Sequence, residues 1–283
     1  ILMGLGMVTL RQTSNNTAIE VESGLKNVRL YSLLLEVGSS ADEPEKVNTD
    51  YLLLWKNDSE PSTEYNYIFD VFCRIGGPNY VNPESTIDQS MICLNDDYIY
   101  VDHVWCWRAD HIAAYTVSID VTINDFRARH NLIVNGDYVL IKGLFAEHSL
   151  SSPVVWTGDY GSVYFFQSEL AYEYTNDNDT ADSPWFKWIG GYLTDTEVVG
   201  NTYSIGNFYS TADIEIYGGG GYTYFKNLTD STHGVEFIFN LPNNTKDNLH
   251  NIFPIFLKGK GIINNLTSCN ETGQIVPITA ENT

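Results

Sequence analysis

NLIVNGDYVLIKGLFAEHSLSSPVVWTGDYGSVYFFQSELAYE, residues 131–173, repeats itself once. Asn135-Gly136-Asp137-Tyr138 is followed, twelve positions after its Asn, by Glu147; Thr157-Gly158-Asp159-Tyr160 is followed at the same distance by Glu169. The two halves lie 22 residues apart. Each holds a short β-branched run, a Gly-Asp turn and a second apolar run that ends at an acid. A strand, a turn and another strand at a period just above 20 mark a solenoid coil rather than a hairpin. The expected fold is all-β, a right-handed parallel β-helix, the hand following from the crossover rule. Equivalent residues of stacked coils sit one strand spacing apart, about 4.8 Å, so Glu147 and Glu169 are expected to be neighbours.

The same scheme recurs upstream, where Asn95-Asp96-Asp97-Tyr98 separates Met91–Leu94 from Ile99–Trp107. Asn95 and Asn135 are 40 apart, so one coil carries an insertion of 18 residues, expected between His111 and His130. Strand-like runs also occupy Val28–Glu36, Tyr51–Trp55, Tyr67–Ile75, Asp213–Tyr217, Gly221–Phe225 and Val235–Asn240, and little helix is expected. Gly218 to Gly221 reads as a turn, since no helix and no Lys-Ser/Thr follows it as a phosphate cradle requires. Ile1-Leu2-Met3-Gly4-Leu5-Gly6 lacks an initiator Met, a basic leader region and a cleavage pattern, and reads as a strand entered midway. The expectation is one β-helix domain over residues 1–283, the C-terminal part of a longer β-helix protein.

Fifteen basic residues against 36 acidic ones give a net charge of −21, which argues against nucleic acid and anionic membranes, and against polyanionic sugars unless a bound cation bridges the two. No window approaches the roughly 18 apolar residues of a membrane span. Seven Asn-X-Ser/Thr sequons, at Asn15, Asn57, Asn178, Asn227, Asn243, Asn265 and Asn270, exceed chance at this composition and point to a glycosylated, secreted, extracellular chain. Cys73, Cys93, Cys106 and Cys269 are compatible with two disulfides, although Cys73 and Cys93 could equally be stacked interior thiols.

Three acids end or follow coil strands: Asp110 in WRADH, Glu147 in FAEH and Glu169 in FFQSE. Glycosidic hydrolysis needs a proton donor and a second carboxylate held roughly 5 to 9.5 Å apart. Stacked glutamates meet the short end of that range, and crowding them raises the proton affinity of one. The competing reading is a solvated carboxylate row, compensated by Lys142, Arg108 or a bound Ca²⁺. Trp107, Arg108, His111, His148 and Trp156 are the candidate substrate-binding residues. Trp105, Trp185 and Trp188 are further aromatic planes on which a pyranose could stack. Trp105 and Trp107 share a strand face, so both lie in the core or both in a groove. Arg108 as a lyase base, with Asp110 on a cation, is a minor alternative. No metal-ligand spacing and no serine nucleophile elbow is present.

The runs GLKNVRLYSLLLEVG, DVFCRIGGP, WCWRADH, LIVNGDYVLIKGLFAEH and VYFFQSELAYE are similar, in order and spacing, to a family of secreted right-handed β-helix proteins of bacteria and fungi. Its members carry labels such as coagulation factor 5/8 type domain protein or adenylyl cyclase, neither of which describes this segment. The similarity covers about residues 1 to 265. The family resembles the pectin-lyase-like superfamily, and the resemblance implies a polysaccharide-directed role. Asp110, His111, Glu147, His148 and Glu169 match its recurrent polar positions. The chain departs where the family has Asn-Glu-Met/Leu-Pro-Tyr-Asp, reading Ser168-Glu169-Leu170-Ala171-Tyr172-Glu173.

Two functions compete at this level. One is a secreted glycoside hydrolase or binder of a neutral polysaccharide, with Asp110, Glu147 and Glu169 as acid, base or nucleophile and no obligatory cofactor. The other is a non-catalytic β-helix of an extracellular coat, fibre or virion surface, whose open ends join copies end to end or into a homo-oligomer.

Overall fold

The computed structural model describes residues 1–38, 45–57, 60–77, 81–114, 117–121, 124–172, 206–208, 214–225, 234–241, 248–259 and 262–267. Eighteen strands, numbered in chain order, carry the structure, and no α-helix occurs among the described residues. One eight-stranded parallel sheet contains β1 (Leu2–Gln12), β3 (Arg29–Val37), β5 (Asn66–Ile75), β7 (Ile99–Arg108), β11 (Leu140–Glu147), β13 (Ser162–Glu169), β15 (Glu215–Phe225) and β17 (Leu249–Gly259). The second contains β2 (Ile19–Val21), β4 (Asn48–Trp55), β6 (Thr86–Leu94), β10 (Arg127–Val134), β12 (Val154–Trp156), β14 (Gly206–Phe208), β16 (Gly234–Asn240) and β18 (Ile262–Thr267). The chain alternates between the sheets, placing one strand in each per coil. The molecule is a right-handed parallel β-helix.

The repeat stacks in the expected register. Leu132, Ile133 and Val134 face Val154, Val155 and Trp156, while Leu140 through Glu147 face Ser162 through Glu169. The insertion also falls where expected. It forms an antiparallel hairpin of β8 (His111–Ala114) and β9 (Val117–Asp120), then a return that buries Phe126.

The long strands of the first sheet are bent. Ser32, Asp70, His103, Gly143, Phe165, Gly218 and Asn251 form one column across the stack, and every member has a left-handed backbone. Around Asp70 the alternation slips by one. Ile68 and Val71 both face inward, with Phe69 and Asp70 both outward. For a non-glycine residue the left-handed conformation costs about 1–2 kcal/mol. Burying one further Ile or Val contributes about 1.5–3 kcal/mol, so the bend is favourable wherever it turns an extra apolar side chain inward. This column corrects the reading of Gly218 to Gly221 as a turn. The run lies inside β15, with Gly218 (φ 70°) at the bend position.

The Gly-Asp turns are stacked by their own side chains. Asn135 donates to Asn95 (2.7 Å), and Thr157 donates to Asn135 (2.6 Å). The amides of Asp137 and Asp159 donate to the carboxylates of Asp97 and Asp137 at 2.8 and 2.7 Å. Tyr98, Tyr138 and Tyr160 continue the ladder with ring centroids 4.7 and 4.9 Å apart. Gly136 and Gly158 are required by coil approach, since a Cβ at either would lie 1.9 Å from a carbonyl oxygen of the coil before.

Cys73, Cys93 and Cys106 are free and buried, which corrects the expectation of a disulfide framework among the described cysteines. Cys73 and Cys106 are register partners on β5 and β7 inside the core, whereas Cys93 lies on the other sheet. Cys269 lies outside the described residues. Of the sequons, Asn15 and Asn57 are exposed, Asn265 belongs to β18, and Asn178, Asn227, Asn243 and Asn270 fall outside the described residues.

Candidate active site

Beyond the bend, the first sheet presents two outward columns. One runs Phe72, Trp105, Phe145, Gln167; the other runs Glu36, Arg74, Trp107, Glu147, Glu169, Tyr222. Register alone makes Glu147 the neighbour of Trp107 on one side and of Glu169 on the other. A cleft of about 730 Å³ opens over these columns, lined among others by Phe72, Trp105, Phe145, Glu147, Gln167 and Tyr222. Trp105 lines it, and Trp107 stacks on Trp105 with centroids 5.9 Å apart on the same outer face of the sheet, so neither belongs to the core.

The two glutamates have different surroundings. Trp105 Nε1 donates to Oε2 of Glu147 at 2.8 Å, and the Glu147 carbonyl accepts from Asn131 Nδ2 at 3.1 Å. Asn131 is fully buried and also donates to the carbonyl of Cys106, so it ties β10 across the core to the strands carrying Trp105 and Glu147. Glu169 is 13 % exposed, and its Oε1 is buried without a hydrogen-bond partner. Its Oε2 lies 3.4 Å from Nε2 of His148, whose Nδ1 is 3.8 Å from Asp110 Oδ1. His111 Nδ1 meets the same Asp110 oxygen at 3.1 Å.

Tyr172 closes the cluster. Its ring lies 4.5 Å from the His148 ring and 5.1 Å from that of Tyr224. Its phenol is pushed well above its ordinary range, first by burial and then by the Glu169 carboxylate, with Asp110 and Glu147 adding to the shift. Three carboxylates therefore act on one partly buried point. Among the described residues no group of three or more His, Cys, Asp and Glu side chains is arranged to hold a metal ion.

Asp110, His111, Glu147, His148, Glu169 and Trp107 are thus brought together, and two candidate substrate-binding residues are not. Arg108 is fully buried, and its guanidinium donates to the carbonyls of His148 (3.5 Å) and Asp125 (3.0 Å). It is a tie between coil and insertion, not a sugar ligand. Trp156 is fully buried beside Gly161, with Nε1 donating to the Gly158 carbonyl at 3.1 Å, which removes it from any stacking role. Trp185 and Trp188 lie outside the described residues. Gln167 and Tyr172 were missed as site residues. Gln167 was readable as the outward neighbour of Glu169, but Tyr172 sits beyond the strand end, where periodicity carries no signal.

The coil stack with its carboxylate pair and aromatic cleft defines the class, a pectate-lyase-like parallel β-helix. The LAM55 pectate lyase-like domain matches residues 1–169, and the chain belongs to that family. An exo-beta-1,3-glucanase of Streptomyces sp. (strain SirexAA-E / ActE) is 29 % identical over 266 residues, spanning 92 % of this chain and 38 % of that protein. The solved structure of sacteLam55A from Streptomyces sp. SirexAA-E superposes with a TM-score of 0.72 at 26 % identity, covering 96 % of this chain and 45 % of that one. A glutamate-to-alanine variant of sacteLam55A in complex with glucose matches with a TM-score of 0.71 at 26 % identity, over 94 % and 42 % of the two chains. The chain therefore spans less than half the length of the relatives it matches.

Proposed function

We propose that this protein is a secreted, glycosylated, carbohydrate-active β-helix that hydrolyses a neutral extracellular polysaccharide, a β-1,3-glucan, without a cofactor. The observation that carries the reading is the register pairing of Glu147 with Glu169 beside Trp105 and Trp107. The exo-beta-1,3-glucanase among its relatives supports the same substrate class.

Glu169 is the proton donor in this reading. Its side chain is 13 % exposed, set between His148 and Tyr172, a water-poor position of the kind a general acid works from. Glu147, fixed by the indole of Trp105, is the second carboxylate, which faces charge developing at the anomeric carbon. The tryptophans offer flat apolar surface to the pyranose ring, and the negative charge of the chain suits a neutral sugar.

The test is a panel of neutral glucans assayed for new reducing ends, with Glu169→Gln as control. Release from β-1,3-glucan, abolished in the variant without loss of folding, is expected. No release from any glucan, together with ordered end-to-end polymers, would favour the non-catalytic rod.

A further inference from the structure

We infer that His148 and Asp110 are positioning residues for the proton donor rather than sugar ligands, the imidazole holding a proton shared with Glu169. The inference rests on the reading of Glu169 as the acid. His148 is 4 % exposed, so it offers the cleft almost no surface. Both of its ring nitrogens are buried without a hydrogen-bond partner, yet each faces a carboxylate, Nδ1 toward Asp110 at 3.8 Å and Nε2 toward Glu169 at 3.4 Å. Contacts of this length in a free enzyme tighten when substrate closes the site.

The backbone shows that this placement is enforced. His148 has a left-handed φ of 61°, which a non-glycine residue adopts only where its surroundings over-determine it. Three contacts do so here. The His148 amide donates to the Glu169 carbonyl at 2.8 Å, its carbonyl accepts from buried Arg108, and its ring packs on Tyr172. The equivalent residue of the next coil, Leu170, has no such backbone and is simply buried in the core.

The tautomer follows from the two neighbours. A neutral imidazole carries one N–H. Asp110, itself oriented by His111, is the carboxylate facing Nδ1 and favours the ring proton there, leaving the Nε2 lone pair directed at Oε2 of Glu169. That contact is attractive only when a proton lies between the two atoms. In the acid step the Glu169 O–H bond breaks, an O–H bond forms on the departing sugar oxygen, and the glycosidic C–O bond breaks with its electron pair going to that oxygen. Glu169 is left as a carboxylate, and a proton from solvent then restores it. His148 sets the direction of the carboxyl and holds its proton between turnovers.

A merely structural histidine would depress every substrate alike. A positioning residue for the acid depresses only substrates whose leaving group needs a proton. The experiment compares kcat/KM on laminaritriose with that on 2,4-dinitrophenyl β-glucoside for wild type, Glu169→Gln, His148→Asn, His148→Gly and Asp110→Asn. Asn and Gly both tolerate the left-handed backbone. His148→Asn is expected to lose on the order of 10²-fold on laminaritriose and no more than about threefold on the aryl glucoside, the pattern of Glu169→Gln. Added imidazole should restore the trisaccharide rate of His148→Gly. Equal losses on both substrates, or no rescue by imidazole, overturn the role of His148 while leaving Glu169 in place. Absence of leaving-group dependence in Glu169→Gln itself overturns the reading beneath it. Should His148→Asn fail to fold, Asp110→Asn and the imidazole response of His148→Gly decide.

Discussion

Trp105 Nε1 donates a 2.8 Å hydrogen bond to Glu147, linking an exposed aromatic plane to a carboxylate one coil away. Trp105→Phe keeps the plane and removes the donor. A hydrogen bond to a charged group is worth about 1.5–3 kcal/mol, which 40 % exposure of the tryptophan discounts toward the lower figure. The expected loss in kcat is about tenfold with little change in KM. A rise in KM at constant kcat would assign Trp105 to binding alone.

Replacing Glu147 by Gln preserves shape and removes the charge, so turnover on β-1,3-glucan should fall by about 10²-fold or more with the melting temperature unchanged. Unaltered turnover would refute the proposed carboxylate pair. The β-helix would survive that result.

Asp96 is fully buried, and its carboxylate accepts from the amides of Ser62 (2.7 Å), Asp97 (2.9 Å) and Gly24 (3.1 Å). It caps the turn ladder where the Gly-Asp repeat begins. Asp96→Ala strands these donors, at about 1–3 kcal/mol for each that stays buried. Urea unfolding should show a loss of several kcal/mol, with Asp96→Asn intermediate. A loss below about 1 kcal/mol would mean that the amides find other acceptors.

Two glycines separate a steric cause from a dihedral one. Gly136→Ala drives a methyl to 1.9 Å from the Asp96 carbonyl, so coils must part, and about 2–3 kcal/mol is expected. Gly218→Ala meets nothing within 4 Å and suffers only its positive φ, about 1 kcal/mol. The ranking of the two midpoints checks the account; the reverse order contradicts it.

His130 is buried with Nδ1 2.7 Å from the Ser152 carbonyl, and burial, with a smaller contribution from Arg129, lowers its pKa from 6.5 to about 4. The unfolded chain therefore binds this proton first as pH falls. Stability is at its full value above pH 6.5 and declines toward pH 4, by on the order of 3 kcal/mol. His130→Gln should flatten that part of the stability curve, measured by urea unfolding between pH 7 and pH 4. An unchanged slope would place the titration elsewhere.

The 22-residue repeat by itself determined the coil, the register and the neighbours Glu147 and Glu169, because strand stacking is local in a solenoid: a period read along the chain is a distance read across it. The pairing of Trp105 with Trp107 on one outward face followed from the same alternation. Only the tertiary structure decided where alternation breaks. The left-handed column at Asp70, His103 and Gly218 turned a supposed glycine turn into a bent strand, since residues of several types occupy that backbone once neighbouring coils impose it. Burial likewise decided that Arg108 and Trp156 face away from the cleft and that His148 lies beneath it. Those placements depend on side chains from three or four coils meeting at one point, and no single stretch of sequence contains that meeting.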